Sequence, residues 1–179
     1  MDKLPGDLKG KELINQIIRV NHSGEYAAKC IYKGQMIVLK NPEDQKLLQT
    51  MADQEDAHLN YFSDEIINRK VRPSVFLPLW HVLGYGLGIG SALLGKNAAM
   101  VCTDAVEEVI DKHYQSQLEQ LGSKSEEALA SNIEKFRQEE IEHQHIAQTN
   151  MKNLNLGHKL LYNVIKLGCK LSINIAKKF

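Results

Sequence analysis

Residues 129–147 read L-A-S-N-I-E-K-F-R-Q-E-E-I-E-H-Q-H-I-A, and the spacing Glu-x-x-His occurs there twice, as Glu140 with His143 and as Glu142 with His145. On a helix, residues three and four apart share a face. The ladder through the first pair is Leu129, Ile133, Phe136, Glu140, His143, Ala147; through the second it is Ser131, Lys135, Gln138, Glu142, His145, Thr149. The first is an apolar stripe broken by one carboxylate and one imidazole. The second is polar throughout. A bundle helix buries its apolar stripe, so Glu140 and His143 are expected to point inward and Glu142 and His145 into water. Burying ionisable side chains is costly unless something neutralises them. That cost marks a site.

The same signature appears once more. Between Pro42 and Lys70 the ladder Leu48, Met51, Glu55, His58, Phe62 carries Glu-x-x-His inside A-D-Q-E-D-A-H. Two further ladders each carry a lone inward carboxylate. One is Ile14, Ile18, Asn21, Glu25, Ala28, Tyr32, Met36; the other is Met100, Thr103, Glu107, Ile110, Tyr114, Leu118, Leu121. Glu108 falls beside Asp104, Asp111 and Gln115 and is assigned outward. The chain reads as two helix pairs, each offering Glu, then Glu-x-x-His.

Four carboxylates and two imidazoles converging in a helix bundle form a known ligand set for two metal ions. Two divalent ions would cancel four buried negative charges, which without metal repel one another and hold protons. Oxygen-rich ligation with one nitrogen per ion suits iron or manganese better than zinc, and no thiolate lies on these ladders.

The rest of the chain fits an all-α fold. Long stretches are rich in Leu, Ile, Ala, Glu, Lys and Gln, and only four prolines occur in 179 residues. Long helices are expected over 11–39, 42–70, 96–121 and from a capping box at Ser123–Glu126 to about Leu154, with Gly122 as the preceding stop and a last helical piece after Gly157. Such lengths suit a four-helix bundle and far exceed the usual helix of about 11–12 residues. One domain over 1–179 is expected. Lys and Arg balance Asp and Glu at 22 each, which gives no global field and no nucleic-acid partner. Cys30, Cys102 and Cys169 lack C-x-x-C spacing and read as small buried residues in a reducing compartment.

With these residues in hand, the sequence resembles the demethoxyubiquinone hydroxylases, ferritin-like di-iron monooxygenases of ubiquinone biosynthesis. The motifs that carry the resemblance are R-V-N-H-S-G-E-Y, D-Q-E-D-A-H-L, R-P-S-V-F-L-P-L-W-H-V-L-G-Y-G-L-G-I-G-S-A-L-L-G-K, A-V-E-E-V-I-D-K-H-Y and F-R-Q-E-E-I-E-H. It implies the metal ligands Glu25, Glu55, His58, Glu107, Glu140 and His143, the set the ladders selected. It also implies two iron ions and O2 as co-substrate, with NADH as one candidate reductant; no G-x-G-x-x-G fingerprint is present, and a partner reductase or direct reduction through bound quinone is the alternative. The implied reaction hydroxylates one ring carbon of a polyprenyl methoxy-methyl-benzoquinol. His113 and Tyr114 match a His-Tyr pair that would relay protons and electrons beside the metals. The bland reading of Tyr114 is a buried tyrosine with a satisfied hydroxyl.

Such a substrate lives in a bilayer. Residues 73–95 carry no Asp, Glu, Lys or Arg over 23 positions, with Arg72 and Lys96 at the flanks. Pro78 and five glycines make an uninterrupted span unfavourable, so the segment is expected to dip into the interface and cover one end of the bundle, with a segment packed in the core as the alternative. Gly84 with Gly88, and Gly86 with Gly90, have the spacing for close helix packing. The tail 157–179 carries five lysines and no acid among its apolar residues, a basic amphipathic helix suited to an anionic membrane surface. The opening residues show no apolar or Arg-rich leader, which suits either a bacterial cytoplasmic protein or an already processed organellar form, the first being simpler. The expectation is a peripheral protein at the cytoplasmic face of a bacterial membrane, self-associating through its exposed apolar segments. The competing reading is a ferritin-like iron-storage or peroxide-scavenging protein. It shares the ligands but needs neither the 73–95 stretch nor the basic apolar tail.

Overall fold

Helices form where the apolar ladders run. The computed structural model describes residues 10–121 and 126–178. Within them the elements are α1 (Gly10–Val38), α2 (Pro42–Arg69), α3 (Leu77–Leu93), α4 (Lys96–Leu121), α5 (Glu127–Thr149) and α6 (Leu156–Ala176), with no strand among the described residues. The start of α2 shows why the boundaries were readable. Asn41 accepts a hydrogen bond from the Glu43 amide at 2.9 Å, Pro42 opens the helix, and Glu43 and Asp44 fill its first turn.

Two boundaries differ from expectation. The Gly122 stop and most of the Ser123–Glu126 capping box lie outside the described residues. Glu126 itself stands at the N-cap of α5 without a side-chain cap bond, whereas the box would place it at the third helical position. At its other end α5 stops at Thr149, short of Leu154. There the Asn97 amide donates to the Lys152 carbonyl at 2.5 Å and its oxygen accepts from the Lys152 amide at 3.2 Å. This clamp, with Asn153 at φ 54°, turns the chain despite its helical propensity.

α1 with α2 and α4 with α5 form two antiparallel hairpins that face each other across the bundle. α4 runs against α1, since Gln35 reaches the Ala99 carbonyl near one end and Asn21 pairs with Gln117 near the other. Helix α3 supplies the crossover. It lies lengthwise along α1, running the same way, and does not cap the bundle end as expected. Glycine is what permits this. A Cβ on Gly88 would stand 2.1 Å from the Ile31 carbonyl oxygen, and one on Gly84 would stand 2.8 Å from that of Ala27. Gly86 and Gly90 face open space. No helix among the described residues is long and apolar enough to cross a membrane.

Helix α6 packs on α4 and the start of α1 and buries only Ile165 and Ala176. Its middle is clasped by Glu108, which accepts from the Tyr162 hydroxyl and from Lys166 Nζ at 2.6 Å. Glu108 is thus directed away from the bundle core, but it is covered by α6 and half-buried, not set free in water. The far end of α6 is held by Gln16, whose amide donates to the Lys177 carbonyl at 3.0 Å.

Two apolar layers fill the bundle. One holds Ile18, Phe62, Tyr114, Leu129, Ile133 and Phe136; the other holds Tyr32, Leu48, Met51, Ala99, Met100 and Ala147. A polar layer lies between them.

Candidate metal centre

The four inward ladders place Glu25 on α1, Glu55 and His58 on α2, Glu107 on α4, and Glu140 and His143 on α5. All six are buried, none more than 2% exposed. The two polar ladder partners of α5, Glu142 and His145, are exposed. Equal spacing therefore produced one inward pair and one outward pair, decided by the company each keeps.

The six form two overlapping groups. Glu25, Glu55, His58 and Glu140 make one; Glu55, Glu107, Glu140 and His143 make the other, with one ligand atom per residue and all such atoms within 4.8 Å of one another in each group. Glu55 and Glu140 belong to both. His58 Nδ1 lies 3.3 Å from Glu140 and 3.5 Å from Glu25; His143 Nδ1 lies 3.1 Å from Glu140 and 3.4 Å from Glu55. The same nitrogen of each ring faces the carboxylates.

The donors are left wanting a partner. Of the ten buried side-chain polar atoms without a hydrogen bond among the described residues, six are here: one oxygen each of Glu25, Glu107 and Glu140, both of Glu55, and His58 Nδ1. Buried polar atoms are normally satisfied, so such clustering fits cations that would take up these lone pairs. The electrostatics agree. Burial raises the carboxyls of Glu25, Glu55 and Glu107, those of Glu55 and Glu107 well above their usual range, and the Glu140 charge adds to the rise. Burial opposes charge on Glu140 too, but His143 and His58 hold it down at about 2. Burial also opposes charge on the imidazoles, which the carboxylates nevertheless raise to about 12 for His58 and about 11 for His143. A metal-free core thus retains protons where metal would sit.

An outer shell orients these groups. Tyr32 donates to Glu107 at 2.6 Å, and Tyr114 donates to Glu25. His58 Nε2 lies 2.6 Å from Glu139, and His143 Nε2 lies 2.9 Å from Gln54 Oε1. The family resemblance points to Tyr114 but not to Tyr32, Gln54 or Glu139. The signal was present: each tyrosine follows its glutamate by seven positions, and Gln54 and Glu139 each precede a Glu-x-x-His. His113 lies outside the cluster. Its Nε2 accepts from the Gln117 amide at 2.8 Å, Gln117 pairs with Asn21, and burial pushes His113 down to about 4. It is a neutral imidazole at pH 7.

Beside this layer is an apolar cavity of about 350 Å³ between α1, α3, α4 and α6. Gly24, Ala28, Val106 and Ile110 line it, and Glu25 and Glu107 occupy adjoining positions on the same helices. Although Trp80 of α3 and Ala176 of α6 share one apolar cluster with Val20, the backbones of α3 and α6 stay apart. The cavity mouth lies between them, rimmed by Leu83 at 50% and Val164 at 59% exposure.

The family model described as "Ubiquinone biosynthesis protein COQ7" matches residues 12–176. The chain belongs to this family. Among curated relatives in the family, the "3-demethoxyubiquinol 3-hydroxylase" of Rhodospirillum rubrum is 42% identical over 178 residues, covering 99% of this chain and 84% of that protein. The "NADPH-dependent 3-demethoxyubiquinone 3-hydroxylase, mitochondrial" of Bos taurus is 43% identical over 171 residues, 94% of this chain and 79% of its own length. The "5-demethoxyubiquinone hydroxylase, mitochondrial" of Saccharomyces cerevisiae is 35% identical over 181 residues, 92% and 78% respectively. The resemblance and the helical bundle expected from the sequence therefore hold at the level of family and fold class.

Proposed function

We propose that this chain is a di-iron monooxygenase that adds one hydroxyl to the ring of a polyprenyl methoxy-methyl-benzoquinol in ubiquinone biosynthesis. The observation that carries the reading is the adjacency of two features: a buried two-group ligand layer, and an apolar cavity with its mouth between exposed Leu and Val side chains. An iron-storage protein would use the first and has no use for the second.

Glu25 and His58 would hold one iron, Glu107 and His143 the other, and Glu55 and Glu140 both. When bound, the pair supplies reduction of O2 and transfer of one oxygen atom to an electron-rich ring, with the second atom leaving as water. The protein's own part is positional. The cavity walls exclude water and admit a flat ring and an isoprenoid chain. Tyr32 and Tyr114 fix the two terminal carboxylates. The Tyr114 hydroxyl is also placed to pass a proton to or from Glu25, while His113 steadies Gln117 one turn along α4. Electrons come from a nicotinamide nucleotide, the reductant class named for the mammalian relatives.

The exposed residues Leu79, Val82 and Leu83 of α3 and Val164, Leu167 and Leu171 of α6 would rest on a membrane surface, with the lysines of α6 toward anionic headgroups. The protein works there peripherally, on the cytoplasmic side. The test supplies iron-loaded protein with a reduced demethoxyubiquinone analogue, reductant and ¹⁸O2, and follows the product by mass spectrometry. A product carrying one ¹⁸O atom supports the reading. A fully iron-loaded protein that incorporates none overturns it in favour of storage.

A further inference from the structure

The two hairpins match almost residue for residue around the polar layer. Glu25 corresponds to Glu107, Tyr32 to Tyr114, Glu55 to Glu140 and His58 to His143. Each imidazole turns Nδ1 to the carboxylates and Nε2 outward, to the residue that precedes the shared glutamate of the opposite hairpin. Here the match breaks. His58 Nε2 meets the carboxylate of Glu139 at 2.6 Å, and His143 Nε2 meets the amide oxygen of Gln54 at 2.9 Å.

We propose that this mismatch makes the two metal positions unequal: Glu139 makes the position of Glu25 and His58 the tight one, and Gln54 leaves the position of Glu107 and His143 the weak one. Two divalent ions then load in a fixed order. This rests on reading the six-residue layer as a two-metal site.

The reason is the charge of the outer partner. An N–H that donates to a carboxylate makes a charge-assisted bond, which pushes electron density toward the other ring nitrogen and strengthens it as a ligand. Glu139 also brings a negative charge within one imidazole width of the ion. An amide oxygen fixes the ring and its tautomer equally well but adds no charge. Lys135 approaches Glu139 only at 3.8 Å, through the other carboxylate oxygen, with a side chain 66% exposed. Water screens that contact, and Oε2 remains committed to His58. Outer partners of this kind change metal affinity by about 10–100-fold.

The experiment is an anaerobic titration of the metal-free full-length protein with Mn²⁺ against a competing chelator, in wild type, Glu139→Gln and Gln54→Glu. Wild type should take up two ions in two steps separated by about tenfold or more. Glu139→Gln should weaken the tight step about tenfold and leave the weak one nearly in place. Gln54→Glu should strengthen the weak step and leave the tight one, a gain that damaged folding cannot produce. The gap thus narrows in both variants, from opposite directions. Two steps that shift by one common factor, or that do not shift, overturn the inequality while the two-metal reading stands. Fewer than two ions in wild type overturn both.

Discussion

The Tyr32 hydroxyl donates to Oε1 of Glu107 at 2.6 Å across the seam between α1 and α4. Tyr114 and Glu25 make the reciprocal bond. Each helix thus supplies one terminal carboxylate and the hydroxyl that holds the other helix's carboxylate. Tyr32→Phe leaves a fully buried carboxylate with one donor fewer, an unsatisfied group of about 1–3 kcal/mol. The expected outcome is a lower unfolding midpoint for the metal-free protein and metal affinity reduced about tenfold. Denaturant unfolding and chelator competition measure the two. An unchanged affinity would mean that Tyr32 only fills space.

Glu140→Ala should cut bound iron well below the two ions per chain proposed here, because it removes a carboxylate common to both groups. Glu142→Ala, two positions along and exposed, should leave iron content near that of wild type. Equal loss in the two variants, measured by elemental analysis, would contradict the inward assignment of the first pair.

Gly88→Ala places a methyl group 2.1 Å from the Ile31 carbonyl oxygen, a backbone atom that cannot swing aside. Helix α3 must shift off α1, at a cost of about 1–3 kcal/mol or more. Gly86→Ala meets nothing within 4 Å and should stabilise by about 0.5–1 kcal/mol through helix propensity. Thermal unfolding by circular dichroism should move in opposite directions for the two. Parallel shifts would contradict the α1–α3 register.

Metal binding should release protons. Glu55 and Glu107 hold theirs well above the usual carboxylate range, and the carboxylates keep His58 protonated to about 12 and His143 to about 11. Each ion displaces such protons, so affinity should rise with pH. Calorimetry in buffers of different ionisation enthalpy should report release of roughly two or more protons per chain. Without metal the sign reverses for stability. The folded state binds these protons more tightly than the unfolded chain does, so metal-free stability should fall as pH rises from about 6 to 9. Glu140, held at about 2, is ionised in both states over that window and adds no slope. A metal-free protein that grows more stable toward pH 9 would contradict the assignment.

Much of this was legible because the helices are long and their apolar stripes regular. Leu129, Ile133, Phe136 and Ala147 fix a rotation that leaves Glu140 and His143 no direction but inward. What the ladders could not give is contact between helices. They show that Glu139 is beside Glu140, not that it reaches His58 on another hairpin. They show that 73–95 is uncharged and glycine-rich, while its lie along α1 depends on which glycines meet the Ala27 and Ile31 carbonyls. Glu108 looked like an outward acid because α6, which covers it, is attached by tertiary bonds that α4 alone does not announce. The early end of α5 has the same origin, in the distant side chain of Asn97.

The most direct measurement is anomalous diffraction at the iron edge from iron-loaded crystals. Two peaks per chain are predicted, one bounded by Glu25, Glu55, His58 and Glu140, the other by Glu55, Glu107, Glu140 and His143. A single peak, or iron bound only at exposed residues such as Glu142 and His145, would contradict the account.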